Sequence, residues 1–311
     1  MRKILVYIPD GMSGVGYWRF YRPFAEMRKQ FRGELDFEYR NKMYIDDIYK
    51  FDLVIFSRPS DDNALNAMRV CAGAGIPTIL DIDDDLINLP KEHPLFWDYY
   101  TAKNNLIESF SLANAIWVST EQLLYVTDSL KKGVIVKNAI LPSELPDKPA
   151  PFTNKWCWRG GIVSQADLYF ARDWYDELKT QASEFHFIGY DGMLFLKHGP
   201  SYRFKRWERN TEAYMDSLKK GGFNVIWKPL EDNAFNRSKS NIAWIEATMG
   251  GGACLTNLES DLWQYSLWKD SPIEKDSIFE EWEESASVIK IGYNLQTENE
   301  KRFQVIKALC P

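Results

Sequence analysis

Short apolar runs recur through the first half of the chain, at residues 4–8, 53–56, 78–81, 115–119 and 134–137. Segments with helical periodicity lie between them, at 18–30, 63–74, 103–112 and 120–130. Runs this short and this apolar read as strands buried on both faces, the pattern of a parallel sheet. Parallel neighbours need crossover connections, which the intervening helices supply, and a sheet so built takes its ligands beyond the carboxyl ends of its strands. The pattern predicts a βαβ series.

A proline-rich passage over 141–151, with Pro142, Pro146, Pro149 and Pro151, then breaks the rhythm. Stiff, polar and aperiodic, it reads as a domain boundary, and 311 residues are enough for two packed domains. Beyond it the alternation resumes, with strands at 156–161, 184–188, 224–227 and 252–256 and a helix at 167–180. The expected organisation is an α/β domain over 1–145, a second over 146–295 with its cleft facing the first, and a terminal helix over 296–311. In that helix Phe303, Ile306 and Leu309 form an apolar stripe, suited either to packing back on the first domain or to capping the second.

Net charge of −6 and a pI near 5.3 argue against a chain that lives on nucleic acid, which calls for a broad positive field. The exception to weigh is Arg203, Lys205, Arg206 and Arg209, interleaved with Tyr202, Phe204 and Trp207: either a nucleic-acid contact or a solvated helix face. Cys71, Cys157, Cys254 and Cys310 lie far apart without metal-ligand spacing, so neither a zinc site nor a disulfide scaffold is indicated. No early apolar run reads as a signal peptide, and no eighteen consecutive residues are apolar. A soluble cytoplasmic protein is expected, with peripheral membrane contact left open.

Several segments carry candidate chemistry. Gly11-Met12-Ser13-Gly14-Val15-Gly16 follows the opening strand and precedes a helix, so its amides could meet an anion; the alternative is a tight turn. It is neither a dinucleotide fingerprint nor a Walker A loop. Asp81, Asp83, Asp84 and Asp85 crowd a strand end, where they could face solvent, bind a cation, or accept hydrogen bonds from sugar hydroxyls or neighbouring arginines. His93 lies in a loop able to overhang the cleft, as a general acid or base or as a satisfied loop residue. His186 falls inside a strand pattern and His198 beside Gly199-Pro200 in a turn. Of the aromatics near the glycine loop, Tyr17, Trp18, Phe20 and Tyr21 suit either a sugar face or the core, and Tyr17 and Arg19 are candidates for acceptor contact. Glu246 sits among Ile242, Ile245 and Met249, an apolar helix face that tolerates a carboxylate only beside a polar partner: a salt bridge within its domain, or a ribose with two vicinal hydroxyls.

The segment Pro229-Leu230, Phe235-Asn236, Lys239-Ser240, Glu246-Ala247 and Gly250 to Gly252 resembles the retaining nucleotide-sugar glycosyltransferases of the two-Rossmann-domain (GT-B) type, family 4-like. Asp81 to Asp85 followed by Leu89-Pro90 is similar to a subset that includes bacteriophage and bacterial members. The resemblance implies an α/β fold of two Rossmann-like domains facing a central cleft, the first on the acceptor side and the second on the donor side. It implies transfer of a sugar from a nucleoside diphosphate sugar to a hydroxyl with retention, with no tightly bound cofactor and no required metal. Glu246 would contact the donor ribose, and Lys239 and Arg159 would hold the diphosphate with Gly160, Gly161 and Ser240 nearby. Gly14 and Gly16 would face donor phosphates or acceptor. Ser238 stands where such enzymes carry the first of two glutamates, and Gln165 and Asp167 lie where other polar contacts are placed, so a binding shell without turnover is the alternative, with transfer to a nucleic-acid base a third.

Overall fold

In the computed structural model, which describes residues 1–128, 132–190, 201–208, 210–270 and 273–311, the chain builds two six-stranded parallel sheets. The first contains β1 (Arg2–Tyr7), β2 (Leu35–Arg40), β3 (Leu53–Ser57), β4 (Thr78–Ile82), β5 (Ala115–Val118) and β6 (Gly133–Ile135), in the order β2-β1-β3-β4-β5-β6. The second contains β7 (Lys155–Gly160), β8 (Glu184–Gly189), β9 (Tyr202–Lys205), β10 (Val225–Lys228), β11 (Ala253–Thr256) and β12 (Leu267–Trp268), in the order β12-β11-β10-β7-β8-β9. The central strands β3 and β4 are buried at every position, as their largely apolar sequences favour. The α/β architecture is therefore the one expected.

Local signals set the helices. Asp61 caps Asp62–Ala74 by accepting from the Ala64 amide at 2.9 Å, and Gly75 ends it in the left-handed conformation at φ 70°. Asn210 and Gly222 do the same for Thr211–Gly221. None of the helices among the described residues is long and apolar enough to cross a membrane.

Several sequence expectations change. The helix expected at 103–112 starts at Phe96, and the one expected at 167–180 is two, Gln165–Phe170 and Arg172–Leu178, broken at Ala171. Of 120–130, only Gln122–Val126 is α-helical among the described residues. The basic run is not a helix face. Arg203 and Lys205 belong to the edge strand β9, and Glu184 at 3.8 Å and Glu208 at 2.7 Å offset their charge. Arg209 and His198 lie outside the described residues. The edge strands β2, β9 and β12 escaped the sequence reading because edge positions are half exposed and lack a continuous apolar run. All four cysteines are free thiols.

The helix Leu295–Leu309 lies against the first sheet's core, where Phe303 and Ile306 join Ile4, Val6, Phe24 and Trp117. Phe303 stacks on Phe31 with ring centroids 3.9 Å apart, and the Asn299 side chain donates to the Pro23 carbonyl at 2.9 Å.

At the end of β4 the acidic run is buried except for Asp84, which is half-buried. Asp81 is fully buried and accepts from Arg19 Nε at 2.9 Å and Nη2 at 2.7 Å. Arg19 Nη1 donates to the Val136 carbonyl at 2.5 Å. Arg19 is itself fully buried, which rules out the acceptor contact suggested by its place near the glycine loop. Phe20 is likewise core. A buried charge left without its partner is far more costly than a pair replaced by apolar groups. Asp81→Ala is therefore expected to cost about 3–5 kcal/mol in urea unfolding, and Arg19→Met with Asp81→Leu to recover most of that loss. A single-variant cost near zero would contradict this account.

Candidate functional site

Both sheets point their carboxyl ends at one cavity of about 620 Å³. On the second sheet's side, β7 ends in Arg159-Gly160. Glu246 lies on Ile242–Met249, a helix buried at every position from Ala243 to Met249. Its carboxylate meets Arg159 Nε at 2.6 Å and accepts from the Tyr214 hydroxyl at 3.1 Å, both on Oε2. Burial pushes this carboxyl up, and Arg159 and Tyr214 pull against that shift. Among the described residues Oε1 accepts no hydrogen bond, and Glu246 lines the cavity. Of the two sequence alternatives for Glu246, the internal salt bridge is the one these contacts show, made through a single oxygen.

Lys239 follows the short helix Ala234–Ser238, its ammonium 4.4 Å from the centre of the Phe235 ring and 3.6 Å from Asp167. Asp167 also accepts from Asn236 Nδ2 at 2.7 Å and the Glu231 amide at 3.1 Å, which locks the loop carrying Lys239. Ser240 is tied to the first half, its hydroxyl accepting from Asn138 Nδ2 at 2.8 Å. Ser238 does not reach the cavity: its hydroxyl donates to the Phe235 carbonyl and its own carbonyl accepts from Thr120.

Opposite, the glycine loop turns at Gly11, φ 57°, and Ser13 accepts from the Gly16 amide at 3.2 Å. The glycines of both walls divide by what a side chain would meet. At Gly14 it would meet nothing within 4 Å, and at Gly161 only Val163 at 3.9 Å, so both present open backbone to the cavity. At Gly16 it would lie 2.1 Å from the Gly11 carbonyl, and this residue is outside the cavity lining; its role is to close the turn. Gly160 lines the cavity, and a side chain there would lie 2.6 Å from the Trp158 ring.

Arg58, at φ 46° just past β3, donates to Asp83 at 2.5 Å and Asp84 at 2.6 Å, so an arginine supplies the positive charge between those two acids. Asp85 holds the Asn88 side chain at 2.9 Å. Neighbouring arginines, one of the alternatives open in sequence, account for Asp81, Asp83 and Asp84. His93 also lines the cavity and meets Phe235 edge to face across it, with centroids 5.2 Å apart. Its Nδ1 accepts from the Leu95 amide at 3.2 Å, so in the neutral ring the proton sits on Nε2. Burial, aided by Lys239, lowers its pKa to about 4. His186 lies outside the lining, paired with Glu184 at 2.9 Å and packed on Phe223. Trp18 reaches the cavity, whereas Tyr17 and Tyr21 line a neighbouring groove.

Among the lining residues that went unnoticed in the sequence are Arg58, Tyr214 and Lys228. The signal for two of them was present. Arg58-Pro59 and Lys228-Pro229 each put a cation at or just past the end of an apolar run and before a proline, where a parallel sheet presents its ligand site.

No family model matches the chain, and no curated protein does. Among solved structures it is similar to HepE of Anabaena in complex with UDP-glucose, with a TM-score of 0.67, 10% identity, and 99% of this chain and 100% of that one covered. It is also similar to a glycosyltransferase of Rickettsia africae (TM-score 0.61, 10% identity, 99% and 98% covered). A third is AviGT4, a glycosyltransferase involved in avilamycin A biosynthesis (TM-score 0.57, 10% identity, 100% and 98% covered). The two-sheet α/β fold thus matches the GT-B fold of these glycosyltransferases along nearly the whole of each chain.

The His93 environment gives a direct check. An unfolded histidine titrates near 6.5 and the folded one near 4, so the stability tied to this group is complete above pH 6.5 and is lost as pH falls from 6.5 to about 4. Proton NMR of the ring is expected to give a midpoint near 4; one near 6.5 would contradict the geometry.

Proposed function

We propose that the chain is a glycosyltransferase that moves a sugar from a nucleoside diphosphate sugar to a hydroxyl acceptor with retention of configuration. The observation that carries this reading is the second wall of the cavity, where Glu246, with one oxygen free of hydrogen bonds among the described residues, lines the same space as Arg159 and Lys239. One carboxylate oxygen there suits the vicinal hydroxyls of a ribose. Two fixed cations suit a diphosphate, whose charge grows as the sugar leaves, so they stabilise the transition state more than the ground state. The open backbone at Gly161 lets phosphate approach closely, and Gly14 offers the same from the facing wall. The likeness to HepE with UDP-glucose supports a nucleotide-sugar donor.

In this reading the half built on the first sheet, 1–145, is the acceptor side and 146–295 the donor side. His93 acts by donating through Nε2 to a sugar hydroxyl or phosphate, since its other nitrogen is occupied and its ring is neutral at physiological pH. Asp83 and Asp84 are held by Arg58, so the wall does not present them as the free acid and nucleophile of a hydrolase. Attack and departure on one face of the sugar account for retention. Transfer to a nucleic-acid base has less support, because the charges of Arg203 and Lys205 on β9 are offset by Glu184 and Glu208.

One observation favours a second reading, a donor-binding shell without turnover: Ser238 is buried where a sugar-binding glutamate would stand. Thermal melting against UDP-, GDP-, ADP- and dTDP-linked sugars tests both. One donor is expected to raise Tm, and Lys239→Ala and Glu246→Gln each to weaken that donor about ten-fold or more. Release of nucleoside diphosphate in the presence of acceptor is expected to fall about 100-fold in Lys239→Ala. Binding without release would establish the shell, and no shift with any donor would end both readings.

A further inference from the structure

Lys228 has no part in the reading above. It ends β10, and the register that sets Trp227 opposite Trp158 brings it beside Arg159. Both lie on the sheet face covered by Ile242–Met249, where Cys157, Ile226 and Cys254 pack with Ala243 and Ile245. Lys228 is 8% exposed and lines the cavity, and among the described residues no hydrogen bond or ion pair holds its ammonium group.

The groups that face it come from every side. Arg159 stands on β7, Cys254 on β11, Asp167 on Gln165–Phe170, Glu246 on Ile242–Met249, and Lys239 on the loop before that helix. The cations repel it. Both carboxylates are committed elsewhere, Asp167 to Asn236, the Glu231 amide and Lys239, and Glu246 to Arg159 and Tyr214. A buried ammonium without a partner is unfavourable in the empty protein and becomes favourable once an anion enters.

We infer that Lys228 is a third diphosphate-binding cation of the cavity, beside Arg159 and Lys239, and that the donor's diphosphate is the partner it lacks. The inference rests on the nucleotide-sugar reading for the identity of the anion, and on the geometry alone for the anion site. Burial, with repulsion by Lys239, lowers the Lys228 pKa to about 7. Above neutrality, diphosphate binding is therefore coupled to uptake of one proton by the amine.

Calorimetry of UDP-glucose binding to the whole chain at pH 6 and pH 8.5, each in two buffers of different ionisation enthalpy, tests this. The diphosphate of UDP-glucose carries no group titrating in that range, so proton uptake reports the protein. The wild-type chain is expected to lose roughly 30-fold in affinity between the two values and to take up close to one proton at pH 8.5. Lys228→Arg is expected to bind equally at both values without uptake, and Lys228→Met weakly at both. The ligand-free Tm of Lys228→Met at pH 6 should equal or exceed that of the wild type, since the variant loses an unpaired charge. A Lys228→Met chain that binds like the wild type, or keeps its pH dependence, overturns the inference and leaves the donor reading intact. Should UDP-glucose bind none of the three, inorganic pyrophosphate at pH 7 separates the two claims. Binding that needs Lys228 supports the anion site without the nucleotide, and binding indifferent to Lys228, or none, overturns it.

Discussion

Most of the charge buried at the carboxyl ends of the two parallel sheets is paired, and the pairing joins the two halves of the molecule. Asp81 at the end of β4 takes Arg19, and Arg19 turns its remaining nitrogen to the Val136 carbonyl and the Asn138 side chain. Asn138 in turn donates to Ser240, beside Lys239. An ion pair internal to the first half therefore continues, through one amide, into the loop that presents a cation to the cavity. On the other side Arg159 Nε and Glu246 Oε2 form an ion pair at 2.6 Å, and among the described residues the second carboxylate oxygen accepts no hydrogen bond. Such pairing gives little net stability, since desolvation offsets much of the attraction, but it fixes directions.

The chain passes between the halves twice, and the two passages lie side by side. Ile140 and Asn294 form a parallel bridge, with the Ile140 amide donating to the Tyr293 carbonyl and the Leu295 amide to the Ile140 carbonyl. Beyond the second passage, Leu295–Leu309 returns to the first sheet and buries Phe303 and Ile306 there. The last helix thus belongs to the first core by packing and follows the second half in sequence.

What the sequence revealed and what it hid have physical reasons. The central strands were legible because burial on both faces favours largely apolar runs; β9 and β12, short and half exposed at the edges, were not. Glu246 was legible because a carboxylate on an otherwise apolar helix needs a partner, and the structure supplies Arg159 and Tyr214. Arg19 was misjudged because nearness to the glycine loop in sequence says nothing of Asp81, its partner 62 residues away. Lys228 and Arg58 carried a signal in their place between an apolar run and a proline, but their burial at the cavity depends on how the two sheets pack. The division between Gly14, open to the cavity, and Gly16, closed against Gly11, depends on backbone packing that spacing does not encode.

A crystal structure with the nucleotide sugar that most raises Tm tests the central claim most directly. The account predicts a diphosphate within hydrogen-bonding distance of Lys239 and a ribose hydroxyl on Glu246 Oε1, with the sugar directed toward the wall formed by Gly14 and His93. A nucleotide bound outside this cavity, or one whose ribose lies away from Glu246, would contradict it.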